Sequence, residues 1–589
     1  MTLFDPTLPF VLLDDAGAGG SARLFTGLRD TITAVVPAEL APALDRLRAG
    51  RGHHAGFIGF DAGYALEPRL AALARPADDG LPLLWFGAFD QVETPDIDQL
   101  FGHGRAEVGP LEPGLAETDH AAMLGRIAAL IAAGDIYQAN LTFGASVAVS
   151  GHPLALYRHL RRGQAAPYGA LIHTGAAWIL SFSPELFFAL DGRQLTARPM
   201  KGTARRGATT AEDAAAAAAL AADPKNRAEN LMIVDLLRND LSRIAEPGSV
   251  AVPQLFTVER YPTLLQMTST ITATARAGIG PVETLTALFP CGSITGAPKI
   301  RAMEIIADVE PHARGLYTGS IGWIGPADGD PTATAAVFNV AIRTLVMAGQ
   351  DCARIGLGSA IVADSDGAEE WRECLAKARF LAASGAPPDL IETMRCEGGT
   401  VARLDLHLAR IAASATFLGY RFDGAAARAG VLATAAGGDG RLRLIASAAG
   451  NFAIQLSPLP PVVAFPVEIA LSDLPVEADD WRLRHKTTDR GFYDAARVGT
   501  GAFETIFVRR DGRLTEGSFT NLFVPRGGRL LTPPLSDGLL PGVLRAALLG
   551  EGRAVEAPLT AADLAADVFI GNALRGLMPA RLRNDAPGV

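Results

Sequence analysis

A break in the pattern at residues 383–389, ASGAPPD, constrains this chain more than any other feature. Upstream, EEWRECLAKARFLAA keeps a helical rhythm. Gly385, Pro387 and Pro388 cannot continue it, because proline lacks the backbone donor and crowds the preceding turn. A strand-like run, LIETMRCE, begins at once at Leu390. The chain therefore reads as two domains, 1–383 and 390–589, joined by a linker at 384–389. A chain of 589 residues is too long for one ordinary core, and pieces of about 385 and about 200 residues suit one large and one ordinary domain. The larger piece mixes strand-like runs (AWILSFS, GSIGWIG, ARIGLGSAIVA) with helical ones (NLMIVDLLRNDL, APKIRAMEIIADV), so an α/β (α+β) build is expected. The alanine run at 211–222 reads as an exposed helix, alanine being the best helix former.

Charge removes several function classes. The net charge of −10 is spread along the chain with no lysine or arginine block, which argues against a nucleic-acid partner. The N-terminus, MTLFDPTLPFVLLDDAG, has acids and prolines where a signal peptide would be apolar. No uncharged run approaches the roughly 20 residues that span a bilayer. A cytoplasmic protein with no membrane contact is expected. Cys291, Cys352, Cys374 and Cys396 are too scattered for a disulfide framework or a zinc site.

In the first domain, Asp366 and Glu369 have the spacing of a helix cap. On the helix they start, Glu370, Glu373 and Lys377 share one face. A second candidate helix carries Glu229. Carboxylates from two helices suit Mg²⁺, which takes one or two of them with water and an anionic substrate; a solvated charged face is the competing reading. The small-residue loop GSITGAPK (292–299) precedes a helical run and offers backbone N–H groups to an anion. Arg343 is a candidate bidentate clamp for a carboxylate.

These segments, with GFIGFDAGYALEP (56–68), GDIYQANLT (134–142), SFSPELFF (181–188) and RPMKGT (198–203), run in an order that resembles the chorismate-utilising enzymes, the family of anthranilate synthase and aminodeoxychorismate synthase component I. The resemblance covers almost the whole first domain. It implies a large sandwich around one chorismate site with Mg²⁺. Matched motif by motif, Glu229 and Glu373 are the metal-binding carboxylates, with Glu370 acting through water. Arg343 and Lys377 hold the chorismate carboxylates, helped by Ser293, Thr295 and Gly296 of the loop and by backbone at Gly356 and Gly358. Glu185 is the general acid for the departing ring hydroxyl. Lys201 selects the reaction: family members that aminate at C4 have lysine there, whereas anthranilate synthases have alanine. A lysine amine can attack C2, expel the C4 hydroxyl with allylic shift, and leave an adduct for ammonia to displace. Asn226 and Gln266 depart from the pattern, standing where many relatives have an acid and where anthranilate synthases have histidine. No cysteine lies in a glutaminase elbow, so ammonia is expected free or from a separate glutamine amidotransferase.

The second domain carries HLAR (407–410), HKTTDR (485–490), EGSFTNLF (516–523) and LLPGVLR (539–545), a set that resembles the fold-type IV pyridoxal-phosphate enzymes: branched-chain and D-amino-acid aminotransferases and aminodeoxychorismate lyase. By that resemblance Lys486 bears the cofactor and moves the proton, and Glu516 pairs with the pyridine nitrogen. Arg410 meets the phosphate with N–H groups near Val543, Leu544 and the Asn572–Ala573 turn. His485 has a structural role as good as any catalytic one, and Arg443 is a candidate for a substrate carboxylate. A homodimer through this domain is a further expectation. The fusion implies a single product line: chorismate and ammonia to 4-amino-4-deoxychorismate, then loss of pyruvate to 4-aminobenzoate for folate. Two rivals stay open, an anthranilate synthase-like domain fused to an aminotransferase and a non-catalytic chorismate- or cofactor-binding regulator.

Overall fold

A computed structural model describes residues 5–583, apart from 18–19, 77–78, 102–105, 165, 208–209, 262–263, 328–329, 350, 383–387 and 479. The expected linker, 384–389, therefore lies outside the described residues up to position 387. The chain forms two compact units, Met1–Arg206 with Ala215–Ala386, and Gly207–Ala214 with Pro387–Val589. Among the described residues no helix is long and apolar enough to cross a membrane, and all four cysteines are free.

Among the described residues of the first unit, eighteen strands join one hydrogen-bonded network. Phe10–Asp14 pairs with Ala22–Ala34 on one side and Tyr168–His173 on the other. It thus links two runs of antiparallel strands, and a shared core shows that these runs pack face to face. Val11, Ala170, Ile172, Ile179 and Val346 from one run meet Phe57, Trp85, Trp323 and Ala335 from the other. The strands alternate as a doubly covered sheet must: Leu171 and Leu180 point to the opposite face, into a second cluster with Phe143, Tyr157 and Trp371. The outer face of the other run is covered by helices Pro37–Ala49, Pro224–Ser242, Pro281–Leu288 and Lys299–Val309, which supply Leu44, Ile233, Leu285 and Met303 to a third cluster. The alanine-rich segment is a helix, Thr210–Ala222.

The second unit opens with a four-stranded antiparallel sheet, Leu390–Glu397, Thr400–Val401, Gly440–Ala446 and Phe452–Ser457. Helices Leu404–Leu418 and Gly424–Ala435 cover one face of it, burying Met394, Leu442, Leu444, Ile411 and Val431 together. Gly419 ends the first of these helices at φ 71, a left-handed stop that glycine adopts without strain. A mixed eight-stranded sheet follows, with Val467–Asp473 parallel to both Glu504–Val508 and Gly576–Leu582.

Candidate active sites

Lys201 sits on a β-bulge. The strand Met200–Arg205 pairs Met200 with Thr268 but Thr203 with Gln266, so Lys201 and Gly202 together oppose Met267. Gly202 has φ 88, and a Cβ there would lie 2.8 Å from Asn226 Oδ1, so the position needs glycine for backbone and for space. The amide of Gln266 closes the bulge, its Nε2 donating to the Gly202 carbonyl at 2.9 Å while its Oε1 accepts from Thr203 Oγ1 at 3.1 Å. The two departures from the family pattern, Asn226 and Gln266, thus both touch the segment that presents Lys201. Burial lowers the Lys201 ammonium below the usual lysine range and Lys377 lowers it further, while Glu185, Glu229 and Glu373 oppose that shift.

Glu185 is 4% exposed. Burial pushes its carboxyl up to about 7, against the lowering by Ser293 and Lys201. Ser293 Oγ donates to Glu185 Oε1 at 2.7 Å, and the Ser293 carbonyl accepts from Asn140 Nδ2 at 3.0 Å. Of the loop expected to meet an anion, Ser293 therefore faces the acid. Thr295 turns its hydroxyl back onto the carbonyls of Cys291 and Gly292, both at 3.2 Å, and Gly296 pairs with Ala139 in the strand Gln138–Gly151.

Gly356 and Gly358 lie on the strand Cys352–Ile361, antiparallel to Gln138–Gly151. Val149 N–H donates to the Asp351 carbonyl, and Val149 and Asp351 stand opposite each other in that register. Odd-numbered residues of this strand therefore bond to Gln138–Gly151, and even-numbered ones point their N–H and C=O the other way. The neighbour on that other side, Thr344–Met347, pairs only as far as Ile355. The Gly356 N–H is the last group in that pairing, reaching the Thr344 carbonyl, and the polar groups of Gly358 consequently face an open strand edge. Lys377 occupies part of it, its Nζ donating to the Gly358 carbonyl at 2.7 Å and pairing with Glu373 at 2.8 Å. Gly356 has a packing reason too, since a Cβ would strike the Tyr317 ring.

Asp366 caps helix Gly367–Lys377 by accepting from the N–H groups of Ala368 and Glu369, both at 3.0 Å. Glu370 accepts from Ser365 Oγ at 2.7 Å. Burial would raise Glu373, but the Lys377 ammonium overrides it and holds the carboxyl low. Glu229 is raised by burial, and among its electrostatic neighbours are Lys201 and Glu373. Among the described residues no three metal-ligating side chains stand ready as a cluster. Glu229 and Glu373 do face the same lysine, a two-carboxylate donor set of the kind a hard divalent cation accepts alongside water and substrate oxygens. Arg343 adopts φ 52. Its Nη1 donates to Gln164 Oε1 at 3.2 Å, and burial lowers its pKa. Among the described residues no carboxylate pairs with it, so this guanidinium is suited to an incoming anion.

In the second unit Lys486 runs beside the first sheet, its carbonyl accepting from Ile391 N–H at 2.9 Å. Burial, Arg490 and Arg410 act in the same direction and bring its amine down to about 7. Glu516 is 2% exposed. Burial pushes it up to about 7, with Arg490 and Tyr493 opposing. Tyr493 Oη donates to Glu516 Oε1 at 2.9 Å and Asn521 Nδ2 donates to Oε2 at 3.2 Å. Arg410 is clamped: Nε and Nη2 donate to the two oxygens of Glu392 at 2.8 and 2.6 Å, and Nη1 to the Pro541 carbonyl at 3.2 Å. Burial would raise Glu392, but Arg410 and then His407 hold it at about 2. Pro541 lies just before Gly542, the N-cap of helix Val543–Gly550, whose first N–H groups, including those of Val543 and Leu544, have no helical acceptor. Asn572 shapes its own turn, Oδ1 accepting from the N–H groups of Leu574 and Arg575 at 3.1 and 2.9 Å, and Ala573 lies within that turn. Arg443 stands opposite Thr393, on the sheet face turned away from the helices, and its buried Nε has no partner. His485 is packed, stacked on Phe417 at 4.2 Å and bonded to Ser414 at 3.0 Å.

Lys486, Glu516, Arg410 and the helix start thus lie in one neighbourhood. Glu392, Arg490, Tyr493 and Asn521 join them without having been singled out. Their motifs are visible in the sequence, but no spacing marks which members turn inward.

Residues 15–383 match the family described as chorismate binding enzyme, and residues 389–582 match the amino-transferase class IV family. The aminodeoxychorismate synthase of Streptomyces griseus is 46% identical over 250 residues, covering 42% of this chain and 34% of that one. The aminodeoxychorismate synthase component 1 of Klebsiella aerogenes is 37% identical over 345 residues, 55% of this chain and 74% of that one. The chain thus spans about a third of the first relative's length and about three quarters of the second's. The crystal structure of anthranilate synthase component I from Streptococcus pneumoniae superposes with a TM-score of 0.53 at 24% identity, covering 65% of this chain and 94% of that one, which supports the fold of the first unit. The chain belongs to the chorismate binding enzyme family, with an amino-transferase class IV domain fused behind it.

Proposed function

We propose that the chain makes 4-aminobenzoate in two steps: amination of chorismate to 4-amino-4-deoxychorismate with loss of water, then elimination of pyruvate. The observation that carries the reading is the pairing, in one chain, of Lys201 beside Glu185 with Lys486 beside Glu516. In the first step Arg343, Lys377 and the Gly358 N–H take the substrate carboxylates, with Gly356 beside them on the same strand. The Lys201 amine, deprotonated more readily than an ordinary lysine, attacks C2. The ring double bonds shift and the C4–O bond breaks, with Glu185 giving its proton to the departing hydroxyl so that water leaves. Ammonia then attacks C4, the double bonds shift back, and the C2–N bond returns its electron pair to Lys201. Glu229 and Glu373 would hold Mg²⁺, with Glu370 reaching it through water; the ion supplies positive charge for a substrate carboxylate. Relatives named component 1 imply a second component, and we assign ammonia supply to a separate glutamine amidotransferase.

The second pocket fits pyridoxal phosphate. It offers a buried amine, a carboxyl for a ring nitrogen, and a helix start with Arg410 for a phosphate. Bound there, the cofactor supplies an electron sink for the carbon that loses its proton. Lys486 holds it and takes the proton from substrate C4, Glu516 keeps the proton at the ring nitrogen, and Arg443 meets a substrate carboxylate. Incubating the full chain with chorismate, ammonia, Mg²⁺ and pyridoxal phosphate should yield 4-aminobenzoate and pyruvate in equal amounts by chromatography. Anthranilate as the product would refute the first step, and aminodeoxychorismate as the end product would refute the second.

A further inference from the structure

Arg490 lies four residues beyond Lys486 and immediately before helix Gly491–Thr500. Its Nη2 donates to the Ser518 carbonyl at 2.9 Å, and its guanidinium lies over the Tyr493 ring, 4.7 Å from the centroid. Tyr493 in turn bonds to Glu516. The remaining terminal nitrogen, Nη1, is buried and has no hydrogen-bond partner. A guanidinium nitrogen kept from water with nothing to donate to is costly, and such an atom usually awaits a ligand.

Charge in the pocket has the same sense. Arg490 and Arg410 are the two cations acting most strongly on Lys486. Of the two nearby carboxylates, Glu392 is already taken by Arg410 and His407, and Glu516 is occupied by Tyr493 and Asn521. The pocket therefore has positive charge left over for an anion.

We propose that Arg490 binds the phenolic oxygen of the pyridoxal ring, holding it as the anion. The inference rests on the reading that this pocket takes pyridoxal phosphate. The argument is one of position around the ring. The carbon that Lys486 holds and the nitrogen that Glu516 meets lie at opposite ends of the ring. A cation that acts on both residues belongs along one of the two edges between them. One edge bears the phosphate arm, which Arg410 and the start of Val543–Gly550 serve. The other bears the phenolic oxygen. A substrate carboxylate would lie beyond the Lys486 end, away from Glu516. A fixed cation at that oxygen would hold its negative charge next to the position that Lys486 serves while Lys486 moves its proton.

The full chain, saturated with pyridoxal phosphate, is titrated from about pH 5 to about pH 10 and its visible absorbance followed. Arg490→Gln should raise the titration midpoint by about one pH unit or more and weaken cofactor binding about tenfold, because the anionic oxygen loses its charged donor. Arg490→Lys should restore most of both. 3-Deoxypyridoxal phosphate, which lacks the ring oxygen, should bind the native chain and Arg490→Gln equally, and that equal binding itself reports that the second domain of the variant is folded. Should Arg490→Gln not fold, the analogue still decides: the native chain must bind it about tenfold less tightly than pyridoxal phosphate. An unmoved midpoint with a raised KM for aminodeoxychorismate would assign Arg490 to a substrate carboxylate and overturn the inference. Failure of the native chain to bind pyridoxal phosphate at all would overturn the reading beneath it instead.

Discussion

Both candidate sites centre on a lysine removed from water, yet their surroundings treat that lysine in opposite ways. Around Lys201 the carboxylates of Glu185, Glu229 and Glu373 resist the lowering caused by burial and Lys377. Around Lys486 the strongest-acting charges, Arg490 and Arg410, add to burial, and although Glu392 and Glu516 oppose them the amine falls to about 7. The net sign of the neighbours separates the two. In the proposed reading, a lysine that attacks a dianionic substrate beside a metal needs carboxylates for the metal and an acid for the leaving group, and these oppose the lowering that burial brings. A lysine that must hold a phosphate-bearing cofactor sits among cations that favour the phosphate and also free the amine.

The sharpest break in that comparison is Lys486→Ala. Cofactor absorbance should disappear and 4-aminobenzoate formation fall by about a thousandfold or more, while aminodeoxychorismate accumulates because the first site is intact. If 4-aminobenzoate still forms at the native rate, the second-step assignment fails. Lys201→Ala should lower chorismate turnover by about a thousandfold and leave conversion of added aminodeoxychorismate unchanged. Equal loss of both steps would contradict two independent sites.

Glu185→Gln should cost the first step about a hundredfold. The native pH profile sharpens this. A general acid must be protonated, and burial places Glu185 at about 7, so the rate should fall as pH rises through that value. The Gln variant should lack this limb, and a native rate flat from pH 6 to about pH 8 would remove Glu185 from the role. Removing Mg²⁺ with a chelator should abolish chorismate turnover and leave the second step untouched; loss of both would place a metal requirement where Glu516 and Lys486 work. The smallest effect expected is from Gln266→Ala, about tenfold on kcat with little change in KM. It frees the Gly202 carbonyl and loosens the bulge, and a 1 Å displacement of a reacting group is enough for losses of that order.

Much of both sites was legible as motif. Glu185, Lys201 and Glu373 stand in ordered segments, and the cap at Asp366 sets the helix face that carries Glu373 and Lys377. Gly356 and Gly358 were visible as glycines, but the orientation of their polar groups follows from where Thr344–Met347 stops pairing, a long-range fact absent from local spacing. Thr295 shows the converse. It belongs to the small-residue loop, and its hydroxyl closes that loop internally.

Alone, the sequence pointed to two domains, the family of each, and the lysine proposed to carry each step, because proline breaks and ordered motifs are local properties of the chain. Tertiary structure decided the charge around those lysines. Glu229 and Glu373 reach Lys201 from different helices. Glu392 takes Arg410 across 18 positions of chain, and Arg490 keeps one nitrogen without a partner beside Glu516. Burial and the sign of neighbouring charges set a pKa, and both depend on which distant segments the fold brings together.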